Sequence, residues 1–82
     1  MALTNIEKYK KAFMDSFELK ESDLDDTLVY NKVTGWDSIG HMGLIDELEK
    51  TLQITLEADD IVDFSSFQKG KEIVAKYGVT LN

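Results

Sequence analysis

Apolar residues recur at helical intervals in three segments of the chain. In the first segment the intervals are three and four residues, which places the side chains on one face of an α-helix: Ile6, Tyr9, Phe13 and Phe17. Thr4 and Glu7 have the T-x-x-E spacing of a capping box, so this helix is expected to begin near Thr4 and to run to about Phe17. The chain contains no proline that would interrupt such helices.

A second helical segment lies within the stretch GWDSIGHMGLIDELEK, residues 35–50, and begins at Ser38. Its predicted core stripe has steps of three, three, three and four and contains Ile39, Met42, Ile45, Leu48 and Leu52. Leu44 is placed at the edge of this stripe. Gly40 and Gly43, in the first two turns, each cost about 1 kcal/mol relative to alanine in a helix. The predicted outer surface is acidic and contains Asp46, Glu47 and Glu49.

The C-terminal third of the sequence predicts a short acidic element and a further long helix. The short element begins near Ala58 and covers one or two helical turns. Its acidic residues are expected to form a solvated face: Asp59, Asp60 and Asp63. Ser65 or Ser66 is expected to cap the last helix, which Gly78 ends. The apolar face of that helix contains Phe67, Ile73, Val74 and Tyr77.

The connection between the first two helices, residues 18–37, has no helical or alternating period. A connection of this length is uncommon in a small domain. Its isolated apolar residues predict that it packs on the core: Leu24, Leu28, Val29, Tyr30, Val33 and Trp36. Residues 53–56 could be extended, but a single strand would have no partner. The predicted fold is therefore an all-α bundle of three main helices and one short helix, in a single domain spanning residues 1–82.

The charge balance limits the partners of the chain. Sixteen acidic residues outnumber nine lysines and there is no arginine, so the net charge is −7. Such a chain repels phosphate backbones and is not expected to bind nucleic acid, whereas it attracts basic protein surfaces. No apolar run approaches the roughly 18 residues that a membrane span needs, and the first residues lack the pattern of a targeting peptide. We therefore expect a cytoplasmic, monomeric protein without membrane insertion.

Few residues could carry out catalysis or bind a metal ion. The chain has one histidine, His41, and no cysteine. Ser38 and His41 lie three residues apart on one helix and lack the third group that aligns a nucleophile with its base. A calcium-binding loop beginning at Asp23 fails because Leu28 and Thr34 stand where glycine and glutamate are required. The chain is not expected to be an enzyme, and His41 is expected to be an ordinary polar residue.

Ser38 follows Asp37 at the start of the second helix, and a serine in this position has two interpretations. The ordinary one is that it caps the helix. The other is that it carries a modification, because the first turn of a helix has free amide donors and the positive end of the helix dipole, which together favour a phosphate. Ser38 is well placed to carry a phosphodiester.

The stretch GWDSIGHMGLIDELE resembles the modification site of acyl carrier proteins, in which an Asp-Ser-Leu core opens the second helix. Asp37 and Ser38 match the first two residues of that core, and Ile39 replaces the leucine. Further matches along the helix are Leu44, Leu48 and Glu49. Length, acidity and the order of helices extend the resemblance over most of the chain. It implies that a separate phosphopantetheinyl transferase attaches 4′-phosphopantetheine from coenzyme A to Ser38, and that the arm holds an acyl or aminoacyl group as a thioester.

The resemblance also implies partners and the residues that meet them. Carriers of fatty-acid synthesis have acidic residues where this chain has Gly40 and Gly43, and W-D-S-I-G-H-M instead resembles the W-D-S-(L/I)-x-H-M pattern of specialised bacterial carriers. The implied partners are the transferase, a loading enzyme and an acyltransferase or synthase with basic docking surfaces. The implied partner-binding residues are Gly40, Gly43, Asp46, Glu47 and Glu49. The resemblance implies that Asp37 and His41 lie beside the arm, which gives His41 a second interpretation besides that of an ordinary polar residue, a contact with the phosphate of the arm.

Alternatives remain for the function and for the two glycines. The chain could carry aminoacyl or peptidyl groups on the same serine, or it could be an unmodified acidic adaptor in which Ser38 is only a cap. Gly40 and Gly43 could provide a flat surface for the arm or a partner enzyme. They could instead allow close packing of the adjacent loop through Trp36 or Tyr30.

Overall fold

The computed structural model describes residues 3–25 and 27–81, and this part of the chain contains four α-helices. They are α1 (Asn5–Phe17), α2 (Ser38–Leu52), α3 (Ala58–Asp63) and α4 (Phe67–Lys76). A short 3₁₀ turn, Glu21–Asp23, follows α1. Within the described residues there is no β-strand, only an isolated antiparallel bridge between Val29 and Ser66. The predicted all-α bundle of three main helices and one short helix is confirmed.

Local side-chain caps fix the ends of the helices. The Thr4 hydroxyl accepts a hydrogen bond from the Glu7 amide, and the Glu7 carboxylate accepts one from the Thr4 amide at 2.9 Å, which is the predicted capping box. Ser66 caps α4, its hydroxyl accepting from the Lys69 amide at 2.9 Å. Gly78 lies just beyond α4 with a φ of 86°, the left-handed conformation that glycine tolerates best. The predicted limits of α1 and α4 are confirmed within about a residue.

The core is an aromatic cluster centred on Phe13. Its ring centroid lies 5.1 Å from that of Tyr9, 5.4 Å from that of Trp36 and 5.0 Å from that of Phe67. The buried Tyr9 hydroxyl donates a hydrogen bond to the Phe67 carbonyl at 2.6 Å, and burial raises the pKa of Tyr9. Gly70 allows α4 to pack closely against α1, because a Cβ at this position would lie 2.2 Å from the Tyr9 hydroxyl oxygen. The cluster therefore joins α1 to α4 and to the segment before α2.

The long connection between α1 and α2 is held on the core, as predicted. Leu28 and Trp36 are buried within it. Its backbone also bonds to the segment that leads into α4: the Tyr30 amide donates to the Ser65 carbonyl at 2.8 Å, and the Phe67 amide donates to the Leu28 carbonyl at 2.9 Å. These bonds pair backbone groups that a free loop would leave to water.

The predicted core stripe of α2 is wrong in its first two turns. Ile39 is 85% exposed and Met42 is 55% exposed, whereas Leu44, placed at the edge of the stripe, is fully buried with Ile45 and Leu48. The reason is helical phase. At about 100° per residue, the nine residues from Ile39 to Leu48 turn the helix through about 900°, which ends half a turn away from the start. Ile39 and Leu48 therefore lie on opposite faces.

The predicted solvated face of α3 is confirmed for Asp59 and Asp63 and wrong for Asp60. Asp60 is only 8% exposed. One of its carboxylate oxygens accepts from the Lys76 ammonium at 2.6 Å and the other from the Tyr77 hydroxyl at 2.5 Å. The hydrogen bond from Lys76, and then that from Tyr77, lower the pKa of Asp60. Asp60 thus attaches α3 to the end of α4.

Candidate modification site at the start of helix α2

Asp37, not Ser38, caps α2. The Asp37 backbone is extended, and its carboxylate accepts a hydrogen bond from the Gly40 amide at 2.9 Å. Ser38 is the first helical residue and its side chain is exposed. Within the described part of the chain, no group forms a hydrogen bond with the Ser38 hydroxyl. The hydroxyl is therefore not needed to begin the helix and is open to solvent.

The backbone around Ser38 can also bind an anion. The Gly40 amide bonds to Asp37, and the His41 amide donates to the Asp37 carbonyl at 2.7 Å. The amides of Ser38 and Ile39 have no acceptor among the residues that the structure describes. Free amides at a helix start favour a phosphate oxygen, while the Asp37 carboxylate adds a negative charge nearby. A phosphodiester on Ser38 fits this end of α2.

An apolar groove of about 330 Å³ opens beside Ser38. It lies between the first turns of α2 and the end of α3. Residues of the connection before α2 and Ser65 complete its walls. Met42 and Ile61 line its sides, and no charged side chain of residues 3–25 or 27–81 lines it. The lining consists of Tyr30, Ser38, His41, Met42, Ile61, Val62, Phe64 and Ser65. The groove can accept an apolar group attached near Ser38.

Both ring nitrogens of His41 are used within the protein. Nδ1 accepts a hydrogen bond from the indole N–H of Trp36 at 2.9 Å, so the ring proton is on Nε2, which donates to the Ile61 carbonyl at 2.8 Å. The ring also stacks at 15° to the Trp36 ring. Neither ring nitrogen of His41 is therefore free to make the predicted contact with a phosphate. Instead, His41 connects three segments of the fold.

Gly40 and Gly43 have different surroundings. A Cβ on Gly40 would lie 1.7 Å from the carbonyl oxygen of Gly35, so close packing of the preceding loop explains this glycine. The loop residue is Gly35, not the predicted Trp36 or Tyr30. A Cβ on Gly43 would meet nothing within 4 Å. A flat surface for a partner is therefore an interpretation that applies to Gly43 alone.

The acidic residues of α2 are partly engaged within the chain. Glu49 accepts a hydrogen bond from the Leu56 amide at 2.8 Å and so holds the turn after α2. Asp46 lies 3.8 Å from the Lys50 ammonium on the exposed surface, and Glu47 is half-buried. Of the predicted partner-binding acidic residues, Asp46 is the most exposed to an approaching protein.

Four exposed apolar side chains lie around Ser38, and for three of them, Ile39, Met42 and Tyr30, the sequence pattern wrongly predicts core packing. Ile39 and Met42 extend from α2, and Val62 on α3 is 80% exposed. Tyr30 contributes a fourth exposed side chain from the connection. A concentration of this kind on one face is typical of an interaction surface. The exposure of Ile39 could be predicted by adding 100° per residue along α2, because Ile39 then lies on the opposite side of the helix from Leu48.

No family model, no curated protein and no solved structure matches the chain. Within residues 3–25 and 27–81, no group of acidic and histidine side chains is arranged to hold a metal ion. No helix in that part of the chain has the length and apolar character to cross a membrane. The function therefore has to be inferred from the residues around Ser38.

Proposed function

We propose that the chain is an acyl carrier protein, which carries an acyl group as a thioester on a 4′-phosphopantetheine arm attached to Ser38. The observation that carries this proposal is that Asp37 caps α2 and leaves the Ser38 hydroxyl exposed at the mouth of an apolar groove. A serine used only as a cap would accept the bond that Asp37 accepts. This arrangement favours a modified serine over the adaptor interpretation.

Each group beside Ser38 has a role in the proposal. The cofactor, when bound, supplies the thiol that forms the thioester. The free amides of Ser38 and Ile39 donate to the phosphodiester oxygens. Asp37 holds the first turn of α2 in place through the Gly40 amide, which fixes the backbone position of Ser38. The groove receives the apolar part of the arm or its cargo.

The groove lining favours an acyl cargo over an aminoacyl cargo. An aminoacyl group carries an ammonium, and burying that charge without a partner is costly. Among the residues that the structure describes, no carboxylate lines the groove. Of those lining residues only His41 has ring nitrogens, and both are occupied, by Trp36 and by the Ile61 carbonyl. An apolar chain has no such requirement.

The surface around Ser38 also suggests the chemistry of the partner enzymes. These are the phosphopantetheinyl transferase, a loading enzyme and an acyltransferase or synthase, which a monomeric carrier would visit in turn. Three exposed apolar side chains lie near Ser38: Ile39 follows it in α2, and Met42 and Val62 line the same groove. The same segments also carry exposed carboxylates: Asp37, Asp59 and Asp63. Partners with an apolar contact surface and surrounding basic side chains fit this arrangement, and the contact extends along α2 to Asp46.

Intact-mass measurement after incubation with coenzyme A and a broad-specificity phosphopantetheinyl transferase tests the proposal. The wild type is expected to gain one phosphopantetheine unit, and Ser38→Ala is expected to gain none. Ser65→Ala is a matched control, because Ser65 is an exposed serine that lines the same groove. This variant should be modified like the wild type. No gain in folded wild-type protein would favour the unmodified adaptor.

A further inference from the structure

We propose that His41 is a positioning residue that fastens α3 to α2 and so sets the width of the groove beside Ser38. The fastening has two parts, the bond from the Trp36 indole to His41 Nδ1 and the bond from His41 Nε2 to the Ile61 carbonyl. Both bonds involve one rigid ring. The His41 ring therefore holds the Ile61 carbonyl, and with it the α3 wall of the groove, at a fixed distance from Trp36.

Trp36 is a fixed reference point because it is part of the aromatic core. Its side chain is fully buried. Its ring stacks on Phe17 at a centroid distance of 5.3 Å and meets the edge of Phe13 at 5.4 Å. The His41 ring is further enclosed by Tyr30 and Phe64, at centroid distances of 5.5 and 6.1 Å. The imidazole therefore has little freedom to rotate and transmits the position of the core to α3.

Helix α3 depends on such attachments because it is weak by itself. It has six residues, and the residue before it, Glu57, provides no side-chain cap. Isolated helices shorter than about 12 residues are marginal in water. On its α4 side α3 is attached through Asp60, and on its groove side through His41. The second attachment joins the two walls of the groove directly, because His41 lies on α2 and Ile61 on α3.

Two substitutions of His41 separate the two bonds. In His41→Gln the side-chain amide nitrogen can take the place of Nε2 and donate to the Ile61 carbonyl. In His41→Asn the shorter side chain can take the place of Nδ1 and accept from Trp36, but it cannot reach Ile61. The pair therefore keeps residue 41 polar in both variants and changes only which neighbour it binds.

Amide hydrogen exchange in α3 is the first test and needs no arm on Ser38. His41→Asn is expected to exchange the α3 amides about five-fold faster than the wild type, the factor that corresponds to one lost hydrogen bond. His41→Gln keeps the bond to the Ile61 carbonyl but loses the bond from Trp36, so it is expected to exchange them at a rate between those of the wild type and His41→Asn. The buried amides of α4 around Val74 serve as the internal control and should not change. Equal α3 rates in the two variants, or a parallel increase in α4, would overturn the positioning role.

The second test concerns the loaded protein and rests on the proposed function. If the α3 wall shields the thioester from water, an octanoyl thioester on the Ser38 arm should hydrolyse about five-fold faster in His41→Asn than in the wild type. The rate in His41→Gln should lie between these two. Unchanged hydrolysis in a variant with faster α3 exchange would refute the shielding. Failure of the wild type to accept the arm would refute the proposed function and leave the exchange result standing.

Discussion

Gly40→Ala and Gly43→Ala are the same chemical change one turn apart in α2, and we expect them to alter stability in opposite directions. A Cβ added at Gly43 would meet no atom within 4 Å. Alanine is favoured over glycine inside a helix by about 1 kcal/mol, mostly because the unfolded chain has less freedom to lose. Gly43→Ala should therefore raise the free energy of unfolding by about that amount.

At Gly40 the same gain is outweighed by a steric clash. The new Cβ would lie 1.7 Å from the Gly35 carbonyl oxygen and 2.9 Å from the Gly35 carbonyl carbon. Both atoms belong to backbone, so no side-chain rotation relieves the clash. Gly35 itself has a φ of 93°, and a Cβ added to it would lie 3.6 Å from the Phe17 ring. Overpacking costs about 3 kcal/mol at the upper end of its usual range, which fits a clash with backbone, so the net effect is a loss of about 2 kcal/mol.

Thermal and urea unfolding followed by far-ultraviolet circular dichroism measures both effects. For a domain of this size about 1 kcal/mol corresponds to roughly 4–8 °C in Tm. Gly43→Ala should raise Tm by about that amount, and Gly40→Ala should lower it. If Gly40→Ala were as stable as Gly43→Ala, the loop carrying Gly35 would not approach α2 as described. The loading rate of Gly43→Ala adds a functional result, because a slower rate with higher stability would indicate that a partner uses this flat surface.

Four further substitutions test individual contacts. Ser38→Ala should leave the free energy of unfolding within about 0.5 kcal/mol of the wild type, whereas Asp37→Ala should lower it by about 1 kcal/mol; the reverse order in urea unfolding would make Ser38 the cap. The hydrogen bond from Lys76, and then that from Tyr77, lower the pKa of Asp60 in the folded protein. The ionised Asp60 carboxylate therefore stabilises the fold above its unfolded pKa of about 4. This stabilisation is lost as pH falls through the lower pKa of the folded state. The stability difference between wild type and Asp60→Asn should therefore shrink on acidification from pH 6 to pH 2, and a difference independent of pH would contradict the ion pair. Tyr9→Phe removes the hydroxyl that donates to the buried Phe67 carbonyl and should cost about 1 kcal/mol in the same assay.

Features set by neighbouring residues could be predicted from the sequence. The capping box of Thr4 and Glu7 and the cap at Ser66 depend on residues three positions apart, so the beginnings of α1 and α4 follow from local pattern. The aromatic spacing of α1 likewise identifies its buried face, because it keeps to the helical period. The proposed modification position was also identified locally, from the Asp37–Ser38 pair at the start of α2.

Features set by distant residues could not be predicted. Asp60 is buried because Lys76 and Tyr77 reach it from α4, and nothing near it in sequence indicates these partners. Gly40 is required by Gly35, whose position depends on how the long connection packs. The role of His41 depends on a carbonyl twenty residues away. The error in α2 is of another kind, since the helical phase of Ile39 was available from sequence and the repeated three-residue step concealed it.

The most direct measurement of the central claim is to locate the modification in the protein. After loading with coenzyme A and the transferase, cleavage at lysine releases residues 33–50, in which Ser38 is the only serine. Every other serine falls in a different peptide. The account predicts that fragmentation places one phosphopantetheine unit on Ser38 of this peptide and none elsewhere. An added unit on any other peptide, or an unmodified 33–50 peptide from folded protein, would contradict it.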